Sequence, residues 1–280
     1  MKFPEVDSLI ETAIREDMPS GDITSESIIP PDAVSRAIVL AKEDGVLAGI
    51  GVARKVFQKI DPDVEFVACF RDGRDFRRRD VLARLRGRTI SLLKGERTAL
   101  NFLQRLSGIA TTTREYVRAA EGTPARILDT RKTTPGLRSL EKYAVRMGGG
   151  VNHRLSLSDM VLIKDNHLCH LGSISRAVKR AKERVPKGIR VEVEVRSFEQ
   201  AREAVESGAD WIMLDNMPPG RMKEIVDWVG GRMPVEASGK MTPRKVRTIA
   251  RLGVDFISVG ALTHSYKSVD LSLEFLDERP

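Results

Sequence analysis

The chain has 280 residues, 41% of them apolar, and a formal net charge of +8, so it can bury a sizeable core as one large domain or two ordinary ones. Aromatic residues make up only 5% and are not interleaved with the basic ones. That argues against base-stacking platforms and nucleic-acid binding, and in favour of small phosphorylated or carboxylated substrates. The opening MKFPEVDSLI shows neither a signal-peptide core nor a transit pattern, no window approaches a membrane span, and Cys69 and Cys169 fit free thiols in a reducing cytoplasm.

In chain order, an acidic helix-like start (Glu5 to Glu16) leads through a turn-rich link into short runs, SRAIVLAKEDGVLAG, VEFVACFRDG and DVLARLRGRTISLL. Bounded by Gly and Asp-Gly turns and rich in Val, Ile and Phe, these predict an antiparallel sheet. The arginine run from Arg71 to Arg79 is expected to be a solvated basic loop. GERTALNFLQRLSGIATTTREYV places Leu100, Leu103, Leu106, Ile109 and Tyr116 on one helical face, the pattern of a long helix bridging two parts.

Beyond about residue 120 the pattern becomes strand, loop, helix, repeated. ARILDT, DMVLIKD, IRVEVEV, DWIMLDN, PVEASG and DFISVG are the expected strands, separated by amphipathic helical windows. This alternation predicts a parallel α/β unit. Six strands are too few for a complete eight-stranded barrel, so a partial, six-stranded barrel is expected, with an open doubly wound sheet as the alternative. The expected limits are a sandwich domain with its bridging helix over 1–110, the barrel over 111–267, and a tail over 268–280 packing back on the sandwich.

In such barrels the loops leaving the carboxyl ends of the strands build the active site. Here those ends carry Thr130, Arg131 and Lys132, then Lys164 and Asp165, Glu192 and Glu194, Asp215 and Asn216, Glu236, Ser238 and Gly239, and finally Ser258, Gly260 and His264. One charged strand end is usually a solvent boundary; six in register point to a site. Glu192 and Glu194 share one face, either the barrel interior or the helix side. Inward carboxylates need cationic partners, for which Arg131, Lys132, Arg154 and Lys164 are the candidates. The Gly-containing loops ASGKMTP and SVGALTHS suit a phosphate, although each alone is weak evidence. NHLCH (166–170) lacks a further spaced ligand for a metal and is expected to be structural. GGGVNHR (148–154) has neither P-loop nor dinucleotide spacing and is expected to turn the chain toward His153 and Arg154.

The ordered series RTALNFLQRLSGIAT, DTRKTTPGLRSLEKYAVRMGGGVNHR, LIKDNH, EVEV, MLDN, EASG and ISVGALTHS, with REDMPSGDITS near the start, resembles the quinolinate phosphoribosyltransferase family over almost the whole chain. The resemblance implies an N-terminal open sandwich packed on an incomplete α/β barrel. It also implies transfer of phosphoribose from 5-phosphoribosyl diphosphate to quinolinate with decarboxylation, in NAD synthesis. Magnesium accompanying the phosphoribosyl donor is the implied cofactor, with no tightly bound organic one. The implied assembly is a cytoplasmic homodimer, or a hexamer, in which Arg97 reaches the neighbouring subunit's site.

By the same resemblance Thr130, Arg131, Lys132, His153, Arg154 and Lys164 form the cationic pocket. Glu194 and Asp215 serve the ribose side and the metal, and Lys132, Glu194 and Asp215 are catalytic. Ser238, Gly239, Lys240, Val259, Gly260, Ala261 and His264 surround phosphate. Two departures stand out. Lys240 replaces a usual Gly or Asn and is expected in solvent, and Arg196 follows the third strand where an acidic or polar residue is frequent, a change expected to be surface variation. The rival functions are a same-fold paralogue linked to molybdenum transport, another pyridine phosphoribosyltransferase, and a basic nucleic-acid-binding module.

Overall fold

The computed structural model describes residues 4–276. Its elements run α1 (Pro4–Asp17), α2 (Ile23–Ile28), β1 (Val34–Ala41), β2 (Gly45–Val46), α3 (Ile50–Ile60), β3 (Glu65–Ala68), β4 (Asp75–Phe76), β5 (Val81–Arg88) and α4 (Thr89–Ala119). There follow β6 (Arg126–Leu128), α5 (Arg138–Met147), β7 (Val161–Ile163), α6 (Asp165–Leu171), α7 (Ile174–Arg184), β8 (Val191–Val195) and α8 (Phe198–Glu206). The chain ends with β9 (Trp211–Asp215), α9 (Pro219–Val229), β10 (Val235–Ser238), α10 (Pro243–Ala250), β11 (Phe256–Ser258), α11 (Ala261–His264) and β12 (Leu271–Phe275).

These form two compact units. The first takes the residues up to Thr112, Pro135–Gly149 and the chain from Tyr266 onward. Its antiparallel sheet has the order β12-β1-β5-β3. β1 and β5 alternate, so Ala37, Val39, Ala83 and Leu85 are buried while Arg84 and Arg86 remain outside, the half-buried pattern of such sheets. α5, expected within the barrel stretch, groups with this unit. There Arg105 Nη2 donates to the fully buried Glu141 at 2.5 Å. α3 was not anticipated from the sequence. Val52, Ala53, Val56 and Phe57 form its buried stripe, yet it opens with Ile-Gly-Val, directly after a stretch that looks strand-like.

The second unit holds Thr113–Thr134 and Gly150–Ser265. Its six strands are parallel, in the order β6-β11-β10-β9-β8-β7, so β6 and β7 are the ends of the sheet and do not pair with each other, as in an incomplete barrel. All six expected strands are present. Val191, Val193 and Val195 of β8 are fully buried, and on the opposite face of that strand lie the two glutamates.

Helix starts are written locally. Ser173, Ser197 and Thr242 each accept the backbone N–H three residues on, capping α7, α8 and α10, worth about 1 kcal/mol apiece. Inside the barrel, Trp211 and Phe256 pack at 4.5 Å between ring centres. Arg190 and Arg126, at the strand starts, lie over these rings. That end is thereby filled, and the space for a ligand opens at the carboxyl ends of the strands.

Candidate active site

A pocket of about 410 Å³ lies there, lined by residues from all six strand ends, among them Arg131, Lys132, Arg154, Lys164, Glu194 and Asp215. Asp129 closes β6 and organises one wall. Its carboxylate, with no solvent exposure, accepts the His153 backbone N–H at 2.9 Å and the Asn152 side-chain amide. The adjoining backbone pairs in parallel with Val151. The sequence reading passed over Asp129; its signal was an acid placed directly before Thr-Arg-Lys at a strand end. The glycine run serves as expected, with Gly149 at φ +95 turning the chain into this segment.

The two β8 glutamates face the interior. Glu194, at the rim, accepts from Lys164 Nζ at 2.9 Å. Glu192, deeper, departs from expectation: its direct partner is His153, whose Nε2 lies 3.0 Å from it and 3.5 Å from Glu236. Arg154 attracts Glu192 at longer range. Neither glutamate of this deep pair has solvent exposure, and Glu192 Oε1 and both Glu236 oxygens have no hydrogen-bond partner.

Burial, then repulsion from Glu236, pushes the Glu192 carboxyl well above the usual range. Burial opposes charge on His153, but the two carboxylates override it and raise the imidazole to about 9. The Arg154 backbone N–H donates to Nδ1 at 2.8 Å, so in the neutral ring Nε2 carries the proton toward Glu192, and charging the ring has to displace that bond. Ligand atoms of His153, Glu192 and Glu236 fall within 4.8 Å of one another, spacing that a metal ion would accept.

The cations on the other side are short of anions. Burial and the neighbouring Arg131 charge lower the Arg154 pKa, while Arg154 Nη1 donates to the Met160 carbonyl at 3.0 Å. Arg131 Nε is buried without a hydrogen-bond partner. Such crowding is costly unless a ligand brings negative charge. Lys132 is exposed and its carbonyl accepts from Thr263 Oγ1 at 2.8 Å, tying the β6 loop to α11. Thr130 Oγ1 accepts the Lys132 backbone N–H at 3.0 Å.

Beyond β10 and β11 the chain is closely approached at two glycines. A Cβ at Gly260 would stand 3.0 Å from the Lys132 Cδ and 3.1 Å from the His264 Nε2, and one at Gly239, where φ is +135, only 2.6 Å from the Asn216 Oδ1. Ser238 lines the pocket, buried Val259 and half-buried Ala261 flank Gly260, and Lys240 is exposed. Arg97 lies on α4 in the first unit, exposed. Of the NHLCH stretch, His167 Nδ1 accepts the Lys164 backbone N–H at 3.0 Å, capping α6 and fixing the lysine's backbone.

Arg196 corrects the sequence reading. Its guanidinium turns back to the site, with Nη2 3.0 Å from Asp165 and 3.5 Å from Glu194, and Nε 3.4 Å from Asp215. Asp165 first, then the other two carboxylates, raise its pKa.

Cations crowded opposite two rim carboxylates, at the strand ends of a parallel α/β unit, define an enzyme site for polyanionic small molecules. The comparisons specify which. Residues 22–107 match the model of the quinolinate phosphoribosyl transferase N-terminal domain, and 109–274 that of its C-terminal domain. The probable nicotinate-nucleotide pyrophosphorylase [carboxylating] of Bacillus subtilis is 43% identical over 98% of this chain and 94% of its own. The structure of NadC from Streptococcus pyogenes is 42% identical, with a TM-score of 0.95 over 99% of both chains. That of the Francisella tularensis nicotinate-nucleotide pyrophosphorylase is 37% identical, with a TM-score of 0.93 over 98% of both. The chain belongs to the quinolinate phosphoribosyltransferase family.

Proposed function

We infer that the protein transfers phosphoribose from 5-phosphoribosyl diphosphate to quinolinate and releases carbon dioxide, giving nicotinate mononucleotide and diphosphate for de novo NAD synthesis. The observation that carries this is the anion-starved group of Arg131, Arg154 and Lys132 facing Glu194 and Asp215 in one pocket. Two carboxylates on one substrate and a diphosphate and phosphate on the other bring the charges these cations lack. Arginine forks and lysine point charges bind them by charge-assisted hydrogen bonds.

In the reaction the bond from ribose C1′ to the diphosphate oxygen breaks and the pyridine nitrogen bonds to C1′. Positive charge grows on the sugar in between, and Glu194 and Asp215 stabilise it. The carbon–carbon bond to the carboxylate beside the ring nitrogen then breaks. Its electron pair stays on the ring carbon next to the cationic nitrogen, and that carbon takes a proton from water; because the carboxylate is already ionised, no dedicated base is needed. Ser238, Gly239, Gly260 and His264 are assigned to the 5-phosphate side.

Magnesium is part of this proposal. Three carboxylates already surround one guanidinium nitrogen of Arg196, so the donor set suits a hard cation. Glu194 and Asp215 would hold it together with the diphosphate, whose leaving charge it would neutralise. Among the described residues no helix is long and apolar enough to cross a membrane, and the proposed setting is the cytoplasm. The proposed assembly is a homodimer, or a hexamer built from it, with Arg97 serving the partner's site. Mixing inactive Arg97→Ala and Lys164→Ala subunits then restores part of the activity, and no recovery despite subunit exchange would remove Arg97 from the site.

The primary test supplies purified protein with quinolinate, phosphoribosyl diphosphate and magnesium, with nicotinate as the parallel acceptor. Carbon dioxide and nicotinate mononucleotide from quinolinate alone are the expected result. Silence with both acceptors from folded protein would sink the assignment and favour the molybdenum-linked paralogue.

A further inference from the structure

The arginine after β8 is exposed, yet its side chain is held toward the strand ends. Its backbone is fixed at the entry to α8, where the Arg196 N–H donates to Gln200 Oε1 at 2.8 Å and Ser197 caps the helix. Its side chain is 54% exposed, yet bends back so that Nη2 lies within 3.5 Å of Asp165, Glu194 and Asp215. These contacts are long for charged hydrogen bonds, and exposed ion pairs of this kind are weak. A hollow of about 510 Å³ adjoins the rim, lined by Arg196, Ser197, Asn216 and Arg221 among others, with room for the guanidinium to swing outward. With Lys164 on Glu194, three carboxylates are answered by two cations, and without Arg196 by one.

We propose that Arg196 is a built-in counter-cation, holding the seat between Asp165, Glu194 and Asp215 and yielding it to the divalent ion that arrives with the diphosphate. This rests on Glu194 and Asp215 being the metal-side carboxylates. Two cations competing for one seat are linked, so removing the tethered one tightens the other.

The test is Mn²⁺ binding to the full, substrate-free protein, followed by electron paramagnetic resonance of the free ion. Arg196→Ala is expected to bind Mn²⁺ roughly five-fold more tightly than the unaltered chain, the scale of a modest exposed ion-pair competition. Arg196→Lys stays near the unaltered value, Arg221→Ala does not shift it, and adding Asp215→Asn to Arg196→Ala abolishes the gain. Equal affinity with and without Arg196, or a gain that survives Asp215→Asn, overturns the proposal. Quinolinate turnover, measured in parallel, separates the two readings. Turnover with unchanged Mn²⁺ affinity removes the counter-cation and leaves the function; tighter Mn²⁺ without turnover does the reverse.

Discussion

Glu192 and Glu194 are the same residue type, on the same face of the same strand, two positions apart, and their surroundings are opposite. Glu194 stands at the rim with Lys164 at 2.9 Å and Arg196 at 3.5 Å. Glu192 has no solvent exposure and meets a second buried carboxylate, Glu236, with one imidazole close to both. Depth along the barrel axis separates them: about 7 Å of strand, two residues at roughly 3.3 Å each, takes a carboxylate from a cation-rich mouth, where it keeps 8% exposure, to a floor where it has none. An ionised group at the mouth can answer charge that develops during reaction. One on the floor serves by holding His153, and through it the wall that carries Arg154.

The largest break in that comparison is His153→Ala. Removing the close cationic partner of two buried carboxylates is expected to destabilise the fold by about 3 kcal/mol near neutral pH, measured by urea unfolding. The cost shrinks as the pH falls and the Glu192 carboxyl, whose pKa is raised, takes up a proton. The sign for the unaltered chain follows from the shifts. His153, raised to about 9, contributes stability that is fully present below an ordinary histidine's pKa of about 6.5 and is lost as pH rises through about 9. Glu192, also raised, likewise binds more protons in the folded state, so the ionised floor weakens the fold above the carboxylate range. Folding stability should therefore decline from pH 6 to 9.5, and His153→Ala should flatten that decline. An equally steep slope in the variant would mean that His153 is not the group whose titration sets it.

Next in size is the paired change Glu194→Gln and Glu192→Gln. The rim substitution is expected to lower kcat about 100-fold, the usual cost of losing a preorganised electrostatic group, with unfolding unchanged. The floor substitution keeps the hydrogen-bonding shape toward His153 and removes a buried charge, so stability is retained or improved near neutral pH and kcat falls far less. Equal losses of kcat in both variants would erase the distinction between floor and rim.

The rim was legible in the sequence and the floor was not. Lys164, Glu194 and Asp215 each close a strand whose apolar run announces it, and once a parallel α/β unit is inferred those ends must converge. The pairing of His153 with Glu192 and Glu236 depends instead on strand order. β10, which carries Glu236, is two strands removed from β8, which carries Glu192, and His153 sits on no strand but on the segment that Asp129 fastens to β6. No local pattern encodes that meeting. Arg196 was misread for a related reason: a position after a strand predicts where the backbone goes, while the return of a long side chain to three carboxylates depends on Asp165 from a neighbouring connection. The sandwich sheet followed from alternation, whereas α3 was hidden because a glycine, Gly51, stands in its first turn and it begins directly after a strand-like run.

The smallest predicted effect sharpens the rim itself. Lys240 and Gly239 are neighbours in the loop after β10, and charge alone would favour the lysine as the phosphate contact. The structure favours the glycine. Lys240 is exposed, and solvent screens such a charge, so Lys240→Ala should change KM for phosphoribosyl diphosphate less than about two-fold. Gly239 has φ +135 and would drive a Cβ to 2.6 Å from the Asn216 Oδ1, against a residue itself held at φ +52. Gly239→Ala therefore has to move the Asn216 turn that follows Asp215 and should raise the same KM by about ten-fold, a modest backbone strain expressed at a binding loop. A large effect at Lys240 with a small one at Gly239 would mean that the loop recognises phosphate through its charge rather than through the closeness of its backbone.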